Sequence, residues 1–331
     1  MAYRVQAQGT GAQRGAQLGE QFVDALPRAW ERWVAHFERN NVDPLDLADR
    51  LTRVGAWDTA RKHLPDLVDE LEAMAHASGM PWHKVAALSM LDESWAMTGG
   101  MACTAIAITR DEVRVAGQTM DLPGWTDTMQ TILNVKDANG LGVVAATYPG
   151  SLATCGANSN GVVVVVNALD LATDLTGMPV DFVTRGALHQ PTAEQAIAFI
   201  RSIPHAVGQT YTVLDAHDLY MVEAAADGVI DVPLHELVSV HTNHAFTREH
   251  EISQSSATRL AAIEATRDSL TGIETLEQAL TNKESGVCQV LGRFTADMYS
   301  FMGVMGDSVN RRVWVNVSPA TGNPFEEVSF L

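Results

Sequence analysis

Residues 101–121 read MACTAIAITRDEVRVAGQTMD, and the period of that stretch decides the fold. Upstream, apolar residues recur every three or four positions; from Cys103 onward they recur every two. CTAIAI and VRVAGQT are two alternating runs joined by the polar link TRDE, which is a hairpin signal. A cysteine heads the first strand and Asp121 closes the second. A free cysteine in a strand is most often a small buried hydrophobe. Its place at the change of period supports a second reading. If the bond between Ala102 and Cys103 were cut, Cys103 would carry an α-amino group beside its own thiol. Such an amine has a reference pKa of about 7.7–8.0, so it can accept the thiol's proton near neutrality without a histidine.

Outward from the hairpin, the first hundred residues read as helices. Leu18, Phe22, Leu26, Trp30, Trp33 and Phe37 form one apolar stripe, Leu64 to Ala75 a second, and a third runs from about Trp82 to Trp95. Pro44, Pro65 and Pro81 fit helix starts. Downstream, strand-like runs cover Thr131 to Val135, Gly142 to Thr147 and Gly161 to Asn167, and helices return over Val180 to His189 and Ala193 to Ile203. QTYTVLDA and LYMVEAA, separated by the turn His217-Asp218, are strands, as is LVSVHTNH from 237 to 244. Helices over Ser255 to Leu270 and Leu276 to Thr281 precede the closing strands MYSFMGVMG and RRVWVNVS. Strands grouped on each side of a helical block imply two sheets stacked face to face with helices outside. No repeat or linker divides the 331 residues, so one domain is expected.

Composition narrows the function. Hydrophobic residues make up 46% and charged residues 19%, which suits a compact soluble protein. Forty acidic against 22 basic residues give a formal charge of -18, a sign that repels nucleic-acid phosphates and anionic membrane surfaces. The N-terminal stretch MAYRVQAQGTGAQRG has no basic segment followed by an apolar one, and GVVVVVNAL is far below the roughly 20 residues a membrane helix needs, so a cytoplasmic protein is expected. Cys103, Cys155 and Cys288 cannot all pair and none sits in a CxxC, which supports neither a disulfide framework nor a cysteine zinc site.

Three tempting motifs fail on spacing. In GTGAQRG, residues 9–15, three residues rather than two separate Gly11 from Gly15 and no strand is expected before it, so it is not a dinucleotide loop. Gly306-Asp307-Ser308 lies outside any GxSxG elbow and reads as a turn. His241 and His244, three apart on an expected strand, point to opposite faces and make a poor metal pair.

GTGAQRGAQLG, PDLVDELEAMAHASGM, CTAIAI, GQTMD, GANSNGVVVVVNAL, HTNH and SSATRL follow one another along the chain. Each is loose alone; in this order they resemble the N-terminal-nucleophile hydrolases. Within these the likeness is to the acyl-CoA:6-aminopenicillanic acid acyltransferase group, similar to choloylglycine hydrolases and penicillin V acylases. The resemblance implies an α+β fold, the four-layer αββα sandwich. It also implies self-cleavage between Ala102 and Cys103 into a helical segment of residues 1–102 and a segment of residues 103–331. On the same resemblance, Asp121 orients the new ammonium, Asn243 donates to the developing oxyanion, and Arg259 lies near the nucleophile and lowers its thiol pKa. Arg311 and Arg312 compete for that last role. Asn167 fits a second polar group facing the same space, and Trp125 and Tyr148, on loops after the strands, are candidates to line an acyl pocket.

Two departures stand out. Ala102 replaces the glycine common before the cysteine, which restricts a strained scissile conformation and implies slower self-cleavage. Ala105 stands where a threonine is frequent, although Thr104 retains a hydroxyl beside the nucleophile as a substrate-binding candidate. Cys155 and Cys288, the latter in an expected helix, keep the ordinary structural reading. The resulting expectation is a thiol amidohydrolase acting on a small N-acyl amide through an acyl-enzyme on Cys103, with no metal or organic cofactor. The alternatives are an acyltransferase using acyl-CoA as partner and an unprocessed binding member; a homo-oligomer is compatible with each.

Overall fold

The computed structural model describes residues 2–98, 102–249, 251–292 and 297–331. Of the segment leading to the expected scissile bond, residues 99–101 therefore lie outside the described residues. Among the described residues, seven helices precede the hairpin: α1 (Gly11–Gln21), α2 (Ala25–Arg39), α3 (Pro44–Arg53), α4 (Ala56–His63), α5 (Pro65–Ser78), α6 (Trp82–Ser89) and α7 (Leu91–Thr98). Four more follow: α8 (Val180–Leu188), α9 (Ala193–Ser202), α10 (Gln254–Glu264) and α11 (Ile273–Thr281). Strands are numbered along the chain. One sheet has the order β1 (Tyr3–Gly9), β4 (Thr131–Asp137), β5 (Gly142–Thr147), β6 (Cys155–Asn158), β7 (Val163–Ala168), β8 (Gln209–Leu214), β9 (Leu219–Ala225), β10 (Gly228–Asp231). The other has the order β11 (Val238–His241), β2 (Ala102–Arg110), β3 (Val113–Pro123), β12 (Met298–Asp307), β13 (Arg312–Val317), β14 (Glu326–Glu327).

The sheets stack through β2 and β3 against β7, with α8 and α9 outside the first sheet and α10 and α11 outside the second. This is the expected αββα sandwich. Because β2 is covered on both faces, its run of apolar residues is nearly continuous. Ala105 and Ala107 join the core between the sheets, whereas Ile106 and Ile108 join a second core with Ile263, Leu276 and Leu280 of the outer helices. Alternation then puts Cys103 on the inter-sheet face and Thr104 on the face toward α10.

GTGAQRG has a packing role. Gly11, Gly15 and Gly19 recur every fourth residue and form one stripe of α1, against which α5 lies so closely that an added Cβ would sit 1.7, 2.0 and 2.6 Å from the carbonyl oxygens of Asp66, Glu70 and Met74. Arg14, fully buried between them, donates to Glu70 at 2.6 Å and to Asp66 at 2.8 Å.

Some boundaries depart from the sequence reading. The stripe from Leu18 to Phe37 is two helices, because the three-and-four spacing happens to run on across the break at residues 22–24. The helix expected over Ser255 to Leu270 ends at Glu264 and resumes as a 3-10 turn, Arg267–Ser269. Cys288 lies not in a helix but in the turns after α11. β1, parallel to β4 at the sheet edge, escapes the pattern because only its Val5 and Ala7 are buried among polar residues. No helix among the described residues is long and apolar enough to cross a membrane.

Candidate active site

Cys103 is 3% exposed, the second residue of β2, and its backbone N–H donates to Asn243 Oδ1 at 2.8 Å. The pairing of β11 with β2 makes this contact. His241, the last strand residue, sits opposite Ala105, and the chain turns off the sheet there, so Asn243 lies at the Cys103 end of β2. HTNH is thus strand only through His241, and the turn brings both His241 and His244 onto Phe246, with ring centroids 4.4 and 5.1 Å away, rather than onto opposite faces.

The same Asn243 oxygen accepts from Arg259 Nη2 at 2.8 Å, so two donors fix the orientation of the amide. Its Nδ2 donates to Ala168 O at 3.0 Å, which leaves one N–H of that group for another acceptor. Arg259, on α10 and fully buried, also donates through Nη1 to Cys103 O and, at 2.8 Å, to Thr104 Oγ1. Thr104 therefore holds the arginine and lines neither cavity beside the thiol. Arg311 and Arg312 are exposed at the β12–β13 turn, Arg312 pairing with Glu327, so the inward arginine is Arg259.

Asp121 sits opposite Ala102 on β3 and is fully buried. It accepts from Ser300 Oγ at 2.6 Å and Gln289 Nε2 at 2.7 Å. A register shift between Ser300 and Met302 marks a bulge beside this contact, as bulges often do where a side chain must be re-aimed. Burial pushes the Asp121 carboxyl up to about 6, against the opposing pull of Arg259 and the two donors. Burial likewise pushes the Cys103 thiol well up, and Asp121 and Asp92 add to it; Arg259 acts in the expected downward direction but is outweighed. Ala102 is regular extended strand, a conformation alanine accepts without strain.

Two cavities meet at this point. The inner one, about 20 Å³, touches Cys103 and is walled by Met120, Leu122, Tyr148 and Val166. The outer one is an open pocket of about 430 Å³ that reaches Asn243, Leu169 and Asp170. Asp92, Trp95, Ala168 and Gln209 line both and so form the partition. Asp92 and Trp95 belong to α7, the last helix before Cys103, and Gln209 Nε2 donates to Asp92 Oδ1 at 3.0 Å. Burial raises Asp92 to about 7. Sequence reasoning missed these three residues, although acids at 92 and 93 in the apolar run VAALSMLDESW were a readable signal.

The structure thus brings Cys103, Asp121, Asn243, Arg259 and Tyr148 together around one point. Asn167 is fully buried beside them, its Nδ2 reaching His241 O at 3.4 Å and its Oδ1 unpartnered, but it lines neither cavity. Trp125 is elsewhere. It stacks on His36 at 5.2 Å in a separate cleft with Arg32 and Asp297, because the 3-10 turn Gly124–Thr126 carries it onto α2. Cys155 is buried on β6, its thiol pushed up to about 12 by burial. Among the described residues no group of three or more His, Cys, Asp or Glu side chains could hold a metal ion.

No curated protein sequence matches this chain. Among solved structures it is similar to a mutant of the conjugated bile acid hydrolase from Clostridium perfringens, at 12% identity and a TM-score of 0.46 over 70% of this chain and 97% of that one. The penicillin V acylase from Agrobacterium tumefaciens is similar at 13% identity and a TM-score of 0.42, over 65% of this chain and 82% of that one. Residues 108–318, starting just downstream of Cys103, match the family model for acyl-coenzyme A:6-aminopenicillanic acid acyl-transferase, and the chain belongs to that family.

Proposed function

We propose that this protein is a cysteine amidohydrolase of the N-terminal-nucleophile kind, activated when the bond between Ala102 and Cys103 is cleaved. The observation that carries the reading is the backbone nitrogen of Cys103, 2.8 Å from an Asn243 oxygen that Arg259 also holds, at the edge of a pocket. A side-chain acceptor holding the Cys103 nitrogen is what a liberated α-amine there requires for fixed orientation. In processing, Cys103 Sγ attacks the carbonyl of Ala102, the peptide nitrogen leaves as the new amine, and water hydrolyses the resulting thioester to the Ala102 carboxylate.

In turnover the amine takes the thiol proton, which matters because burial disfavours the thiolate. Sulfur attacks the amide carbonyl, and the remaining Nδ2 hydrogen of Asn243 faces the developing oxyanion, a contact worth roughly 3–4 kcal/mol in comparable sites. The ammonium returns its proton to the leaving nitrogen. Water, deprotonated by the same amine, then cleaves the thioester, or a second amine takes the acyl group. Asp121, near the strand end, offsets the ammonium's charge. Hydrolysis of an amide is favoured over acyl-CoA as donor because a pocket lined by Asp92, Asp170 and Glu251 opposes coenzyme phosphates.

The test is to mix the purified protein with an N-acyl amide panel, quench early and measure mass. A Cys103-linked acyl adduct with amine release is expected. Turnover with the adduct on another residue, or with none, would reassign the nucleophile.

A further inference from the structure

The outer pocket has an unusual polar lining. Asp92, Asp170 and Glu251 face it, and among the described residues no Lys, Arg or His lines it. Gln209 lines it too, 1% exposed, and its Nε2 is committed to Asp92. That commitment fixes the amide so that Oε1, a buried acceptor, is left without a partner. Buried acceptors ordinarily have donors, so this oxygen asks for an N–H from whatever fills the space. Trp95, on the same partition, adds an aromatic ring.

Arg248 and Arg259, the arginines on either side of Glu251 in the sequence, are already matched. Arg259 stands behind Asn243 with Asp121 as its counter-charge. Arg248 is bonded to Asp227 and Gly228. The start of α10 is capped by Ser253, whose side chain accepts from Ser256 N, and Glu251 precedes it. A charge of -18 over the whole chain adds to the same field.

We infer that the outer pocket selects a cationic amine: the part of the substrate that occupies it carries an ammonium group, as in a mono-N-acylated diamine. The ammonium sits among Asp92, Asp170 and Glu251, and an N–H of the ligand donates to Gln209 Oε1. This rests on the amidohydrolase reading for which portion of the substrate is placed there, but the pocket's preference for a cation is separable from catalysis.

The experiment uses three probes of one acyl group and similar chain length on the wild-type protein: N-acetyl-1,4-diaminobutane, N-butylacetamide and N-acetyl-4-aminobutyrate. Binding is followed by calorimetry and turnover by amine release. A single carboxylate at contact distance in water-like dielectric is worth about a fivefold preference, so two or three should give the cation at least about a tenfold advantage over the neutral probe, with the anion weakest. Salt at about 0.5 M should narrow the gap. Asp170→Asn with Glu251→Gln, both at exposed positions, should reduce it to no more than the roughly fivefold that the one remaining carboxylate, Asp92, supplies. Equal binding of the three probes, preference for the anion, or a gap unchanged in the double variant would overturn the inference. Cation-selective binding with no cleavage would sink the amidohydrolase reading and keep the pocket; efficient cleavage of the anionic probe above the others would do the reverse.

Discussion

Glu93 on α7 is fully buried, with Oε1 accepting from Val180 N at 2.9 Å and Oε2 unpartnered. Burial, then the neighbouring Asp92, raises its carboxyl from an ordinary 4.5 to about 8. A carboxyl whose pKa is higher folded than unfolded makes the folded state bind the extra proton, so stability falls as pH rises between those two values. Near neutral pH the unfolded chain has lost the proton and the folded one keeps it, a cost of about 3 kcal/mol, growing to almost 5 above about pH 9 and under 1 near pH 4.5. Glu93→Gln copies the protonated acid, retains an acceptor for Val180 and removes that cost. The variant should therefore be more stable than the parent by about 2–3 kcal/mol near neutrality and indistinguishable from it near pH 4.5. Urea unfolding at both pH values, read as ΔG at matched slope, measures this. A loss of stability at both, or a gain independent of pH, would mean that the fold does not hold this carboxyl's pKa above its unfolded value, and would overturn the prediction.

Arg259→Met should cost about 3–5 kcal/mol and abolish turnover, since it strips the donor from Cys103 O and Asn243 and the opposing charge from Asp121; denaturation within 1 kcal/mol of the parent would reduce Arg259 to a bystander. Gly15→Ala should destabilise by at least about 1–3 kcal/mol, because its Cβ would stand 2.0 Å from Glu70 O; an unchanged melting temperature would mean that α1 and α5 separate freely. Cys155→Ala should leave processing and turnover within a few-fold, whereas Cys103→Ala should end both, as followed by gel and by amine release.

The hairpin and its flanking layers were legible because β2 and β3 switch the hydrophobic period where the fold switches from helix to sheet. The charged centre was legible only through the order of several motifs, since Asn243 and Arg259 reach Cys103 through a turn after β11 and a helix packed on β2, contacts that no local pattern encodes. Trp125 lies elsewhere for the same reason: a loop position after β3 does not say which way a 3-10 turn carries the ring. Gln209 and Trp95 had no signal of their own, being an ordinary strand start and an ordinary core aromatic until α7 folds against β8. Asp92 did have one, as an acid in an apolar helix.

The backbone at positions 102 and 103 offers the most direct test of the account. N-terminal sequencing and intact mass of a fully active preparation should find two fragments, the second beginning at Cys103. Full activity from a single unbroken chain would contradict it, because the nitrogen held by Asn243 would then be an amide whose lone pair is delocalised into the carbonyl and does not accept a proton.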